Sequence, residues 1–122
     1  LEDRVSFILG DLFENVSGTF DLIASNPPYI GAAEYDTLAS GVKDFEPRLA
    51  LWAGETGLEF YEKLIYQAHG RLREKGWLLL EIGAKQHEMI HSLMTVHSDF
   101  YRDIAVRADY AGLPRVIRGR RK

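Results

Sequence analysis

The sequence predicts an α/β fold with a mainly parallel sheet and helices between the strands. Three short apolar runs indicate buried strands, and glycine or proline follows each run within two residues: Val5–Leu9, Phe20–Ser25 and Trp77–Ile82. Between the last two runs, the apolar residues change to the spacing of a helix. This alternation of strands with helices is typical of parallel sheets.

Two helices are predicted between and after these strands. Thr56 with Glu59 forms a capping-box signature at the start of the first helix, and Gly76 lies just past its end. A second apolar face indicates another helix from about residue 84 to 96. The apolar face of the first helix consists of Leu58, Tyr61, Leu64, Ile65, Ala68 and Leu72.

Two weaker strand candidates, 104–107 and 115–118, complete the predicted elements, and neither a repeat nor a linker divides the chain. Residues 26–55 are irregular and rich in glycine, proline and acids. Loops of this length in a compact domain usually bind ligands. The segment starts directly after a strand, where open α/β sheets place their ligands.

The composition is that of an ordinary globular chain, with 122 residues, a net charge of −3 and 46% hydrophobic residues. The absence of cysteine excludes disulfides, thiolate catalysis and cysteine-based zinc sites. No apolar run approaches the roughly 20 residues of a membrane span, and no signal-peptide pattern opens the chain, so we expect a cytoplasmic location.

The charge is distributed unevenly along the chain: the net charge is −9 for residues 1–62 and +6 for residues 63–122. The basic end could attract nucleic acid, but a solvated C terminus is the simpler interpretation.

The motif that carries chemistry is Asn26-Pro27-Pro28-Tyr29, directly after the second predicted strand. The prolines hold the backbone extended and remove two N–H donors, while their carbonyls remain as acceptors. Asn26 adds a side-chain carbonyl and Tyr29 adds an aromatic face. Converging acceptors of this kind suit a planar –NH2 group, whose nitrogen attacks more readily once its N–H groups are bound. The alternative is a proline turn that merely ends a strand.

From Phe20 to Ile30 the sequence resembles the signature of S-adenosylmethionine-dependent amino-methyltransferases. It is most similar to the HemK-type protein-(glutamine-N5) methyltransferases, which modify peptide-chain release factors. The resemblance implies a partial class I methyltransferase sheet of Rossmann-like architecture, lacking the first two strands, and S-adenosyl-L-methionine as cofactor. Further matching elements, in the family's order, are Gly10-Asp11-Leu12-Phe13, Phe45-Glu46-Pro47, Leu80-Glu81-Ile82-Gly83 and Arg115-Val116.

The resemblance also implies roles for single residues. Asn26 would contact both the cofactor and the substrate amide. Pro27 would offer its carbonyl to that amide, and Tyr29 would pack against it, so these three form the implied catalytic set. Asp11 and Leu12 would lie near the adenine of the cofactor, and no metal is implied. The implied substrate-binding residues are Asn26, Pro27, Pro28, Tyr29, Glu46 and Pro47.

Two parts of the family's cofactor site have no counterpart in this sequence: the glycine-rich turn and the acidic ribose-binding residue. We therefore interpret residues 1–122 as the C-terminal part of a methyltransferase catalytic domain, inactive alone. The family orders its strands 3-2-1-4-5-7-6, so Val5–Leu9 would be an edge strand. If these residues were the whole molecule, we would expect a homo-oligomer or a strand swap that covers the free edges.

The leading hypothesis is methyl transfer to the side-chain amide nitrogen of a glutamine in a protein, with a release factor as partner. A sister family acts on a ribosomal-protein glutamine. A nucleic-acid amino-methyltransferase is a further alternative, although the acidic half that carries the motif disfavours a polyanion. The last alternative is an inactive fragment that serves only as a binding module.

A histidine pair and Glu81 are further candidates for a functional role. His87 and His91 are four residues apart on a predicted helix, but no acidic partner is placed as in HExxH, so a solvated pair is the simpler interpretation. Glu81 ends an apolar strand. We expect it to organise a neighbouring loop, because methyl transfer from a sulfonium needs little help from a base until the proton leaves.

Overall fold

A four-stranded mixed sheet with helices on one face makes up most of the described chain. The computed structural model describes residues 2–28 and 57–122. The predictions for Tyr29, Glu46, Pro47 and Thr56 lie outside these residues. The elements are β1 Phe20–Ser25, α1 Glu59–His69, β2 Leu72–Glu81, α2 His87–Val96, β3 Tyr101–Ala108 and β4 Pro114–Arg121, with 3-10 turns at Glu2–Arg4 and Ala84–Gln86.

The strands lie in the order β1-β2-β4-β3. This order reproduces the 4-5-7-6 portion of the order that the resemblance implies. Only the β1–β2 pair is parallel among the described strands, since β4 runs antiparallel to both of its neighbours. The prediction of a mainly parallel sheet is therefore wrong here. The short turn from β3 to β4 forces an antiparallel pair, which a helical crossover would not have done.

Val5–Leu9 is not a strand, and this prediction is wrong. Its apolar side chains face solvent, with Phe7 96% and Leu9 94% exposed. A strand needs a neighbour for its backbone hydrogen bonds, and none of the four described strands pairs with this segment. In the implied family order, two further strands would separate it from β1.

Strand β2 begins five residues before the predicted strand, at Leu72. Leu72 was expected on the apolar face of the first helix, and this prediction is wrong because α1 ends at His69. The pairing moves from Phe20↔Leu72 to Leu22↔Trp77, so β2 carries three extra residues opposite β1. The regular ladder starts at Trp77, where the strand was predicted. Leu72 is buried in the same core from a strand, and helical periodicity alone could not distinguish the two positions.

Gly76 closes this bulge where two backbone segments meet. A Cβ atom there would lie 2.9 Å from the carbonyl oxygen of Arg73 and 3.0 Å from that of Asp21. Both contacts are to backbone, so relief requires the β1–β2 pairing to shift.

We expect Gly76→Ala to lower the free energy of unfolding by about 1–3 kcal/mol, measured by urea denaturation. Gly70→Ala is the matched control, because its nearest atom would be the carbonyl oxygen of Gln67 at an ordinary 3.7 Å. The control is expected to stay within about 0.5 kcal/mol of the original chain. Equal denaturation midpoints for the two variants would show that the close approach at Gly76 carries no strain.

The core lies between the helices and one face of the sheet. Tyr101 donates a hydrogen bond from its hydroxyl to the carbonyl of Ile65 at 2.6 Å, which ties β3 to α1. Burial of this hydroxyl raises the pKa of Tyr101 far above its usual range. The buried apolar residues are Tyr61, Leu64, Ile65, Ala68, Leu72, Leu78, Leu80, Ile82, Ile90, Met94, Tyr101 and Ile117.

The opposite face of the sheet is partly exposed, and we call it the open face. Side chains alternate along a strand, so β2 places Trp77, Leu79 and Glu81 on this side, all half-buried. Arg118 and Arg120 of β4 lie over the Trp77 ring, with guanidinium carbons 5.0 and 5.5 Å from its centroid. Neither of the two described α-helices has the length and apolar character needed to cross a membrane.

Candidate active site

A cleft of about 680 Å³ opens beside the carboxyl end of β1, and we call it the first cleft. Its volume falls within the ~300–1,000 Å³ of small-molecule sites. Two short segments, residues 9–12 and 25–28, form it together with one residue of α1. The lining residues are Leu9, Gly10, Asp11, Leu12, Ser25, Asn26, Pro27, Pro28 and Phe60. The structure therefore places the five described residues of the implied site around one cavity.

The end of β1 determines how the motif is presented. The last residue pair of the β1–β2 ladder is Ser25↔Leu80. Beyond it, Asn26 is exposed, Pro27 is buried and Pro28 is half-buried. The prolines anchor the backbone against the body of the protein. The Asn26 side chain is thereby held at the cleft by a rigid strand end.

A short turn holds the other wall of the first cleft. Asn15 donates a hydrogen bond from its side-chain amide to the carbonyl of Leu9 at 2.7 Å. The N–H of Glu14 donates to the carbonyl of Asp11 at 3.0 Å. Leu12 has a φ of 50°, in the left-handed region that leucine rarely adopts. Such strain is common at binding sites, where surrounding contacts maintain it.

The lining of the first cleft fits a ligand that has both an aromatic ring and polar groups. Leu9, Leu12 and Phe60 offer apolar surface, while Asp11 and Asn26 offer oxygen acceptors. An adenine ring needs this combination, because it stacks on apolar groups and donates from its exocyclic amine. The described residues therefore fit the adenine end of the cofactor that the resemblance implies.

Phe60 was missed by the sequence interpretation. It lies in the first turn of α1 but not on the apolar face that marked the helix, so periodicity could not single it out. A large aromatic residue off the apolar face of a helix that follows a binding loop is the signal that could have found it.

A second cleft of about 340 Å³ lies on the open face, also at the carboxyl ends of β1 and β2. Ser25 and Asn26 line both clefts, so they form the wall between them. Glu81 lines the second cleft only. Its main-chain carbonyl accepts a hydrogen bond from the Tyr61 hydroxyl at 2.7 Å. The lining residues are Ala24, Ser25, Asn26, Leu79, Glu81 and Val116.

Comparison with known proteins relates this chain to methyltransferases. No family model matches the chain. A protein named release factor glutamine methyltransferase, from Nitratidesulfovibrio vulgaris, is 47% identical over 120 residues, covering 97% of this chain and 41% of the relative. The chain is a homologue of the release factor glutamine methyltransferases. It spans about two fifths of their length.

Two further comparisons extend this result. A protein from Francisella tularensis, named ribosomal protein uL3 glutamine methyltransferase, is 42% identical over 91 residues, covering 74% of this chain and 29% of the relative. The crystal structure of a methyltransferase from Pyrococcus furiosus superposes with a TM-score of 0.56 at 23% identity, covering 86% of this chain and 42% of that one. This likeness confirms the partial methyltransferase fold. The names of the two homologues share glutamine methylation and differ in the substrate.

Asp109 organises the turn from β3 to β4, next to the Arg115-Val116 element that the family resemblance singled out. Asp109 accepts hydrogen bonds from the N–H groups of Ala111 and Leu113 at 2.9 and 3.0 Å, and from Nε of Arg115 at 3.2 Å. The hydrogen bond from Leu113 is the main cause that holds the pKa of Asp109 below its usual range, with Arg115 adding to it against a smaller effect of burial.

This lowered pKa predicts an acid-sensitive turn. A carboxyl whose folded pKa is depressed stabilises the fold above its unfolded pKa of about 3.9, and this stabilisation is lost as the pH falls through the folded pKa. We expect thermal unfolding between pH 7 and pH 2 to show a shallower acid limb for Asp109→Asn than for the original chain. Asp99→Asn is the control, since that exposed carboxylate forms no hydrogen bond with any residue that the structure describes. An unchanged acid limb for Asp109→Asn would exclude this role.

The histidine pair on α2 has ordinary surroundings. The Nδ1 atom of His87 lies 2.9 Å from the carbonyl oxygen of Ala84, and His91 is exposed. Across residues 2–28 and 57–122, no group of three histidine, aspartate or glutamate side chains is placed to hold a metal ion.

Proposed function

We propose that the chain is the C-terminal part of the catalytic domain of an S-adenosyl-L-methionine-dependent protein-(glutamine-N5) methyltransferase whose substrate is a peptide-chain release factor. The observation that carries this proposal is the first cleft, where Asp11 and Leu12 meet Asn26, Pro27 and Pro28. The names of the homologues support glutamine as the acceptor.

The first cleft suggests a division of tasks. The Asp11 carboxylate accepts a hydrogen bond from the exocyclic amine of the adenine, and Leu12 and Phe60 pack on the adenine ring. Asn26, in the wall shared by the two clefts, contacts both the cofactor and the substrate amide. When bound, the cofactor supplies a methyl group activated by a positively charged sulfur.

The acceptors at the end of β1 address the weakness of an amide as a nucleophile. The lone pair of an amide nitrogen is delocalised into the carbonyl. The side-chain oxygen of Asn26 and the carbonyl of Pro27 accept hydrogen bonds from the two N–H groups of the amide. These hydrogen bonds localise electron density on the amide nitrogen as it attacks. Asn26 and Pro27 would hold this nitrogen towards the methyl group that the bound cofactor would supply, and the surplus N–H proton would pass to water. Since both acceptors belong to a rigid strand end, orientation adds to the rate.

The cofactor assignment is tested by calorimetric titration of S-adenosylhomocysteine into the methyltransferase that contains this chain. We expect Asp11→Ala to weaken binding by about 10-fold to 100-fold, the value of a hydrogen bond to a charged group. Asp21→Ala is the matched control, because Asp21 lies outside the cleft and its ion pair with Arg73 is exposed. Equal dissociation constants for both variants would contradict the assignment of Asp11.

The substrate assignment is tested by methyl transfer from labelled cofactor to a release factor and, separately, to ribosomal protein uL3. We expect label on a glutamine of the release factor. Label on uL3 alone would assign the chain to the other kind of homologue. Label on nucleic acid alone would refute glutamine methylation.

A further inference from the structure

We infer that the second cleft receives the glutamine side chain of the protein substrate and that Glu81 selects its amide over a carboxylate. The inference rests on the proposed function, since it names the substrate side of the same site. It gives Glu81 a direct role in substrate recognition, in place of the loop-organising role expected from the sequence.

The strand register brings Glu81 beside Asn26. Ser25↔Leu80 is the last pair of the parallel β1–β2 ladder, so Asn26 and Glu81 are the next residues along each strand. Neighbouring strands lie about 4.8 Å apart, and paired residues of parallel strands point to the same face. Pro27 and Ile82, one residue further, are both buried. Asn26 and Glu81 thus both belong to the open face, where both line the second cleft.

The second cleft matches a glutamine side chain in its chemistry. Its floor is apolar and consists of Ala24, Leu79 and Val116, while its end at Asn26 and Glu81 is polar. Two methylene groups can cover the floor while the amide reaches the polar end. The amide nitrogen there meets Asn26, which also lines the first cleft. Attack on a methyl group held in the first cleft requires this arrangement.

Glu81 has a carboxylate available for this purpose. Among the described residues, its side chain forms no ion pair or hydrogen bond, although it is half-buried. No lysine or arginine is among the described residues that line the cleft. The closest arginine on the open face by register is Arg118, opposite Leu79, and it lies over the Trp77 ring. The negative charge of Glu81 therefore acts on whatever enters the cleft.

This charge favours an amide in two ways. A glutamate side chain brings a second negative charge and no N–H group, so it is repelled. A glutamine amide is neutral, so the carboxylate of Glu81 does not repel it. A nitrogen that has gained a methyl group would carry positive charge until an N–H proton passes to water, and a nearby carboxylate would stabilise that charge. Glu81 thus acts on both substrate choice and rate.

The test compares a release-factor peptide that contains the acceptor glutamine with the same peptide carrying glutamate. In the methyltransferase that contains this chain, methyl transfer and inhibition by the glutamate peptide are measured for Glu81→Gln. We expect kcat/KM for the glutamine peptide to fall about 10-fold to 100-fold, and the preference over glutamate to narrow about tenfold or more. Glu81→Asp, which keeps the charge, is expected to retain most of the preference.

Two controls separate this inference from the proposed function. Glu74→Gln removes an exposed carboxylate from the same strand at its other end and is expected to change nothing. Binding of S-adenosylhomocysteine is expected to stay the same in Glu81→Gln, since Glu81 does not line the first cleft. An unchanged glutamine preference in Glu81→Gln, or an equal loss in Glu81→Asp, overturns the role of Glu81. A wild-type protein that methylates no glutamine overturns the proposed function instead.

Discussion

Replacing Asn26 by alanine is expected to lower the rate of methyl transfer about 10²–10³-fold, the cost of removing one hydrogen-bonding group that acts in a transition state. Asn26 lies at the end of β1 and, with Ser25, forms the wall shared by both clefts, where the proposed mechanism needs an acceptor for the amide. Since its side chain is exposed, its loss leaves the core unchanged. The rate is measured by single-turnover transfer of labelled methyl to a release factor in the methyltransferase that contains this chain.

A matched control for Asn26→Ala is Gln67→Ala, which removes a side-chain amide from an exposed position of α1 that lines neither cleft. We expect its single-turnover rate to match that of the original protein. Urea denaturation of both variants separates catalysis from folding. Near-normal turnover in Asn26→Ala would refute the mechanism proposed for the end of β1.

Replacing Leu78 by alanine is expected to lower the free energy of unfolding by about 2–5 kcal/mol, the range for deleting a buried leucine side chain. Leu78 lies in the middle of β2 and is fully buried against the helices. β2 pairs with strands on both sides, so its backbone cannot move to fill the space that the side chain leaves.

Leu79→Ala provides the comparison for Leu78→Ala, because the neighbouring leucine points to the open face and is only half-buried. We expect this variant to cost about 1 kcal/mol, as for an ordinary partly exposed substitution. Both are measured by urea denaturation of the chain. Similar losses for the two leucines would mean that the open face is as well packed as the helical face.

The strands and helices could largely be predicted from the sequence because their signals are local. β1 has the predicted bounds Phe20–Ser25, and the ladder of β2 starts at Trp77 as predicted. The second helix is confirmed as a 3-10 turn followed by α2. The weaker strand candidates are confirmed as β3 and β4, both longer than predicted.

The failures concern pairing, which is not local. An apolar run such as Val5–Leu9 indicates a preference for strand structure, but whether a strand forms depends on a neighbour elsewhere in the chain. The same holds for strand order, since nothing in the residues of β4 indicates that it lies between β2 and β3. That position came only from the resemblance to a known family.

The candidate site also combines features that are local in the sequence with features that are not. The side-chain chemistry of Asn26-Pro27-Pro28 could be deduced from residue types, whereas the proximity of Asp11 and Leu12 depended on the resemblance. Phe60 and the second cleft were found only in three dimensions, because they arise where elements distant in sequence meet. The roles of all the candidate site residues remain predictions, including those of Tyr29, Glu46 and Pro47, which lie outside the described residues.

The place of β4 in the sheet has a consequence for biosynthesis. β4 is the last described strand along the chain, yet β3 pairs only with it and β2 needs it for one of its two edges. On a ribosome that adds roughly 5–20 residues per second, these edges stay open until residues 114–121 have emerged from the exit tunnel. The nascent chain thus exposes an unpaired β2 edge while residues 82–121 are being added, and this is the interval in which a chaperone that covers strand edges would protect it.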